Sequence, residues 1–262
     1  NMSRYNKHKC AKAKLKEIDS NPSQYLFIHY SCESFYNIKN GRTPRITSIA
    51  IKSLSTGQVE SFSMHKIAEQ RSISLSDILS CYDSIEKEML DDYFEYIKTH
   101  QTMFFLHINM RDINYGFKAI EHRYKVLGGT PVILDDAHKI DFAHLLIDLY
   151  GDNYIGHPRM QKLCELNNIK SQSFLNGQQE AEAFEKQEYI KLHQSTLAKI
   201  EMYSKLLDKA INGNLKTLAK WREIYGISVQ SIYEYTQITW WTKLIFWMVT
   251  LIIGGIIGAI LS

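Results

Sequence analysis

The run "TMFFLHI" at residues 102–108 constrains this chain more than any other segment. It is unbroken apolar sequence of strand length, and a strand without polar alternation has to be covered on both faces. Covering a sheet on both sides takes helices, so this segment points to an α/β fold. Its neighbours agree. Residues 83–100 place Ile85, Met89, Leu90, Phe94 and Ile97 at helical spacing, and residues 112–127 read as a second helix closed by Gly128-Gly129. Upstream, 24–32 is rich in aromatic and β-branched residues. Residues 45–54 alternate through Ile46, Ile49 and Ile51, then "STG" turns the chain into "QVESFSMHKI", a hairpin pattern. Downstream the spacing predicts short helices over 140–150 and 159–168. A long helix follows Asn176-Gly177 to about 211, with a break at Asn212-Gly213-Asn214. The order of elements predicts a mixed sheet flanked by helices.

At 262 residues the chain can bury one substantial core, and a formal net charge of +3 does not by itself mark a nucleic-acid binder. The first sixteen residues carry six Lys/Arg and no acid, which reads as a solvated basic leader or an arm for phosphates. Cys10, Cys32, Cys81 and Cys164 are scattered, with no CxxC, so neither disulfides nor structural zinc are expected. No secretory signal opens the sequence, and a cytoplasmic setting is expected for its soluble part. The tail "WWTKLIFWMVTLIIGGIIGAILS" has no charge after Lys243. About eighteen apolar or small residues at 1.5 Å each give roughly 27 Å, which predicts one C-terminal transmembrane helix and a membrane location. Gly254 and Gly258 form a GxxxG, the pattern of close helix–helix approach, so a homo-oligomer through that face is expected. The expected organisation is a leader at 1–22, a globular domain at 23–211, a helical connector at 212–239 and an anchor at 240–262.

Three segments then bear a family likeness. "YLFIHYSCESF" resembles the first motif of the DnaQ-like (DEDD) 3′–5′ exonuclease group, a strand ending in Asp-x-Glu. "FFLHINMRDINYGF" resembles the second motif, with His107 and Asp112 five apart, the asparagine at Asn109 and Arg111 in the aromatic place. "FLNGQQEAEAF" lies where the third motif opens a helix, with Glu180-Ala181 in register with Asp-Ala and Leu175 where the general-base histidine belongs. The resemblance covers roughly residues 24–210. It implies a ribonuclease H-like fold, nucleic acid or nucleotide as ligand, and Mg²⁺ or Mn²⁺ as cofactor if the site is active.

Two-metal phosphodiester cleavage needs several carboxylates around ions about 4 Å apart, and Mg²⁺ wants hard oxygen ligands. By that resemblance Glu33, Asp112 and Glu180 are the candidate catalytic and metal-holding residues. His29 and Ser31 stand where the family has its Asp and Glu, so the set is incomplete. Arg42 and Arg45 are candidate phosphate contacts, with His107 and Asn109 as further substrate-binding candidates. Plainer readings stand beside these. Asp112 fits a helix N-cap, Glu33 a solvated loop carboxylate, and Glu180 an ordinary first-turn acid. His29 and His107 fit hydrogen-bonded core positions, and "DDAH" with Asp141 fits capping residues. "KLHQSTLAKI" offers His193, Ser195, Thr196 and Lys199 either to phosphates or to solvent. No phosphate-binding Gly-rich loop and no GxSxG elbow is present.

Three functions follow. The first is a membrane-anchored, divergent exonuclease-like protein that binds or processes nucleic acid or nucleotides. The second is a non-enzymatic sensor whose oligomerising tail perturbs the membrane, as in bacterial immunity. The third is a tail-anchored scaffold that binds protein.

Overall fold

The computed structural model describes residues 2–33, 43–111, 114–237 and 240–261, with the side chains of 257, 258, 260 and 261 outside the description. Asp112 and Arg42 therefore lie outside the described residues. Two compact units emerge, one of residues 15–145 and 157–216, the other of 1–14, 146–156 and 217–262.

The larger unit is built on five strands, β1 (Tyr25–Cys32), β2 (Ile46–Ser53), β3 (Val59–Ser63), β4 (Phe104–His107) and β5 (Lys139–Asp141), in the order β3-β2-β1-β4-β5. β1–β2 and β2–β3 pair antiparallel, and β1–β4 and β4–β5 pair parallel. The hairpin forms where "STG" predicts it, with Gly57 at φ 72 and Ser53 N–H donating to Gln58 O at 2.9 Å. Glycine is suited to that left-handed position because it has no Cβ. β3 is shorter than its pattern predicts, because at Met64 the chain enters α2 (Met64–Gln70).

The two faces of β1 differ in chemistry. Leu26, Ile28 and Tyr30 join Ile85, Met89, Leu90 and Phe94 of α3 (Tyr82–Thr99) in the main apolar cluster. Each such side chain contributes about 1.5–3 kcal/mol on burial. On the other face Phe27 packs edge-on against Phe142, while His29 and Ser31 meet α8 (Tyr189–Ile211) at Tyr203 and Thr196. A polar-lined contact between sheet and helix sits on that side.

The expected helix over 112–127 is shorter. α4 (Phe117–Val126) starts at Phe117 with Gly116 at its N-cap position, and the capping reading of Asp112 lies outside the described residues. The long helix expected after Asn176 is two, α7 (Gly177–Glu185) and α8, broken where Gln187 takes φ 58. β5 replaces the first residues of the helix expected at 140–150, and α5 (Phe142–Tyr150) follows it.

The second unit contains helix rather than an open leader. α1 (Arg4–Ser20) begins there, and Arg4 donates to Asp148 O and Glu223 O, both at 2.6 Å. Tyr225 of α9 (Trp221–Tyr225) lies within 5.3 Å of Trp221 and 5.2 Å of Tyr235, the latter in α10 (Val229–Thr236).

The C-terminal segment overturns an expectation. Among the described residues no helix is long and apolar enough to cross a membrane. α11 (Trp240–Leu261) carries Lys243 in its first turn, and Thr250, Gly254 and Gly255 interrupt its apolar positions. The transmembrane helix, tail anchor and membrane location expected for 240–262 are corrected accordingly. The fold class that stands is α/β, a five-stranded mixed sheet with helices.

Candidate functional site

The chain leaves β1 towards β2 on one side and returns to β4 on the other. The carboxyl ends of β1 and β4 therefore lie together at the point where strand order reverses, the usual place for a ligand crevice in an open α/β sheet. Ser31, Cys32 and Glu33 come from the end of β1, and His107 and Asn109 from the end of β4. A β-bulge falls between Ser31 and Cys32, whose partners on β2 are Ser48 and Ile46. Thr47, the extra residue, donates its hydroxyl to Ser31 O at 3.0 Å.

Glu180 sits in the first turn of α7, which Asn176 and Gln179 close with a reciprocal capping box. Its Oε1 accepts from Ser31 Oγ and Ser195 Oγ, each at 3.0 Å, and from Lys199 Nζ at 2.6 Å. Lys199 and Glu180 are 9% and 15% exposed, so this is a shielded ion pair. Thr196 extends the network, donating to Ser31 Oγ at 2.8 Å and pairing with Ser48 Oγ at 2.7 Å. The hydroxyl-rich face of "KLHQSTLAKI" thus points into the protein. Its alternation of polar types with Leu192 and Ile200 signalled a buried polar seam as much as a solvated one.

The charges of two predicted carboxylates, Glu180 and Glu33, act on Cys32. Burial first, then the charges of Glu180 and Glu33, pushes its thiol up to about 12. Glu33 N–H donates to Arg45 O at 2.7 Å, and its carboxylate accepts from Arg45 N–H at 3.5 Å. The Arg45 guanidinium lies 4.6 Å over the Tyr82 ring, a cation–π geometry. Glu33, Arg45, Tyr82 and Tyr189 share one neighbourhood, since Glu33 and Arg45 both act on the two phenols. Arg45 Nε and the Tyr189 hydroxyl are buried and have no hydrogen-bond partner among the described residues.

The end of β4 has a different character. His107 is 2% exposed, and its Nδ1 accepts from Met110 N–H at 3.2 Å. Burial is the main force holding its imidazole down to about 4. Arg111 and Lys139 also lower it, and Asp141 opposes them. Asn109 takes φ 54, and its N–H reaches Asp141 Oδ1 at 3.4 Å. Asp141 also pairs with Arg111 at 2.5 Å and accepts from Ala143 and His144 N–H at the start of α5. His107 and Asn109 thus belong to a knot that shapes the β4–α4 loop, and Asp141 is the capping residue its spacing suggested.

Tyr30 and Gly116 close that loop. Tyr30 stacks on Tyr115 at 4.6 Å and accepts from Gly116 N–H at 2.9 Å. Gly116 has φ 151, and a Cβ there would stand 2.4 Å from Met110 O. Gly116→Ala should therefore lower stability by about 1–3 kcal/mol from backbone strain alone, read as a lower melting temperature. An unchanged melt would show that the loop does not depend on this turn.

The metal implied by the exonuclease likeness does not fit what is described. Among the described residues no three His, Cys, Asp or Glu side chains converge to hold an ion. The carboxylate nearest the family's place already carries an ammonium and two hydroxyls. A cavity of about 480 Å³ lies instead beside α8, lined by Leu75, Gln172, Leu175, Gln187, Tyr189 and Gln194 among others. Comparison with family models, curated proteins and solved structures finds no match. The likeness therefore rests on the three sequence segments.

Proposed function

We propose that this chain is a divergent, exonuclease-like module that binds a nucleotide or single-stranded nucleic acid and does not cleave it with metal. The observation that carries this reading is the Lys199–Glu180 pair at 2.6 Å beside the carboxyl end of β1. An ammonium there supplies the positive charge that a divalent ion would supply, from a side chain that cannot leave. Mg²⁺ would have to displace it and lose hydration water to do so, and Mg²⁺ dehydrates reluctantly.

Ligand binding has separate support. Arg45 and Tyr189 present a buried guanidine nitrogen and a buried hydroxyl without hydrogen-bond partners among the described residues, the groups that hold phosphate oxygens. Tyr189 also lines the 480 Å³ cavity, whose volume lies within the range of small-ligand sites. Arg45 would bind the phosphate, and the amides of Gln172, Gln187 and Gln194 are available to the base. Arg42 and Asp112 remain expectations outside the described residues.

The test uses the full chain with labelled single-stranded DNA, single-stranded RNA and ATP. Binding followed by fluorescence anisotropy should weaken with salt, persist in EDTA, and fall at least about tenfold in Arg45→Ala, in line with loss of a charge-assisted contact. No degradation is expected in Mn²⁺. Mn²⁺-dependent cleavage that disappears in Asp112→Ala would overturn the loss of catalysis. Absence of binding to all three probes would overturn the ligand class.

A further inference from the structure

Where β3 ends and α2 begins, a second polar cluster lies apart from Glu180 and Arg45. His65 is in the first turn of α2 and His193 in the second turn of α8, and their ring centroids are 5.0 Å apart at an interplanar angle of 46°. His65 Nδ1, His193 Nε2 and Ser63 Oγ are all buried without a hydrogen-bond partner among the described residues. His193 and Ser63 are 5% and 1% exposed. Ser63 pairs across the sheet with Ser48, and Ser48 bonds Thr196, three residues along α8 from His193. The three orphan atoms thus fall at one junction of β3, α2 and α8.

Each unsatisfied buried polar group carries a desolvation cost, and native proteins hold few of them. Two facing imidazoles are common ligands of borderline transition-metal ions. With metal–nitrogen bonds of about 2.0–2.1 Å and a tetrahedral angle, two rings on one ion have centroids roughly 5 Å apart. The separation found here matches that. We propose that His65 and His193 bind a Zn²⁺-class divalent ion, with Glu69 as the third donor and water completing the shell.

Glu69 is exposed and one helical turn beyond His65, so both project from the same face of α2. Its charge already acts on the His65 ring. Three donors do not converge in the described state, so the ion would draw Glu69 in by a side-chain rotation. Lys66, whose charge acts on both rings, has its Nζ bonded to Ser61 O at 3.2 Å and Ser61 Oγ at 2.9 Å.

Isothermal titration of the untagged full chain with Zn²⁺, and visible absorption with Co²⁺ as a spectroscopic probe, test this. One equivalent should bind in the micromolar range, with tetrahedral Co²⁺ bands and a raised melting temperature, while Mg²⁺ does neither. His65→Gln and His193→Gln should each weaken binding by at least about tenfold, the lower end of what even outer-shell changes cost at metal sites. Glu69→Gln should weaken it less. His65 is only half-buried, so His65→Gln keeps the test decisive if His193→Gln does not fold. No saturable Zn²⁺ binding, or wild-type affinity in folded His65→Gln, would overturn the site.

Discussion

In EDTA, the unfolding free energy should fall steeply between pH 6.5 and pH 4. His29, His107 and His193 are 7%, 2% and 5% exposed. Burial is the first cause of a lowered pKa in all three, assisted at His29 by Lys199 and at His193 by His65 and Lys66. In the unfolded chain these rings titrate near 6.5. His107 and His193 do so near 4 in the folded protein. Between those values the unfolded state binds more protons, so stability rises with pH across that window and is lost as pH falls through it. A shift from 6.5 to about 4 corresponds to about 3 kcal/mol per ring at most. Two such rings approach the whole stability of a typical domain, about 5–15 kcal/mol. Glu86 acts in the opposite sense, since burial raises its pKa and it favours folding slightly as pH falls. Urea midpoints at pH 7, 6, 5 and 4.5 should decline progressively. His107→Asn, whose amide oxygen can still accept from Met110 N–H, should flatten the decline. A midpoint constant from pH 7 to 4.5 would refute this account.

The elements that sequence exposed best are those whose side chains must be apolar wherever they sit. β4 and β1 are continuous runs because helices cover both faces, and the β2–β3 hairpin shows because Gly57 supplies the turn. β5 is three residues long and has no periodicity to read; it exists because Asp141 comes level with His107. α4 starts five residues late because Gly116 takes a conformation that only the tertiary closure by Tyr30 requires. In the candidate site, Glu33 and Glu180 were legible as carboxylates at the ends of elements, and both act on the Cys32 thiol. Lys199 as the partner of Glu180 was not legible, because nineteen positions and a helix break separate them. A lysine near acids in sequence is ordinarily a solvated one.

The largest single-residue effect is expected at Arg123, away from the candidate ligand site but connected to it through backbone. Glu86 has no exposed side-chain surface, and Arg123 reaches it with Nε at 3.0 Å and Nη2 at 2.5 Å. Arg123 also bonds Asp83 at 2.6 Å and Thr43 at 3.3 Å. The other oxygen of Glu86 accepts from Ile46 N–H at 2.6 Å, and Tyr82 donates to Ile46 O at 2.9 Å. Glu86 and Tyr82 therefore fix both backbone groups of the residue that pairs with Cys32 beyond the bulge. Arg123→Met keeps much of the side-chain volume and leaves a buried carboxylate without its counter-charge. The loss should be about 3–5 kcal/mol at pH 7, or about 10 °C at the 2–4 °C per kcal/mol of a chain this size. Because the unpaired Glu86 can take a proton, the difference between variant and wild type should shrink as pH falls from 7 to 5, where the histidine contribution cancels in the comparison. Glu86→Gln should cost less, since an amide oxygen still accepts from Ile46 and Asp83 still holds Arg123. Arg123→Met within about 1 kcal/mol of wild type at pH 7, judged against the 3–5 kcal/mol of a broken buried pair, would mean that Glu86 is already neutral in the folded protein. The end of β1 would then be held by hydrogen bonding rather than by charge.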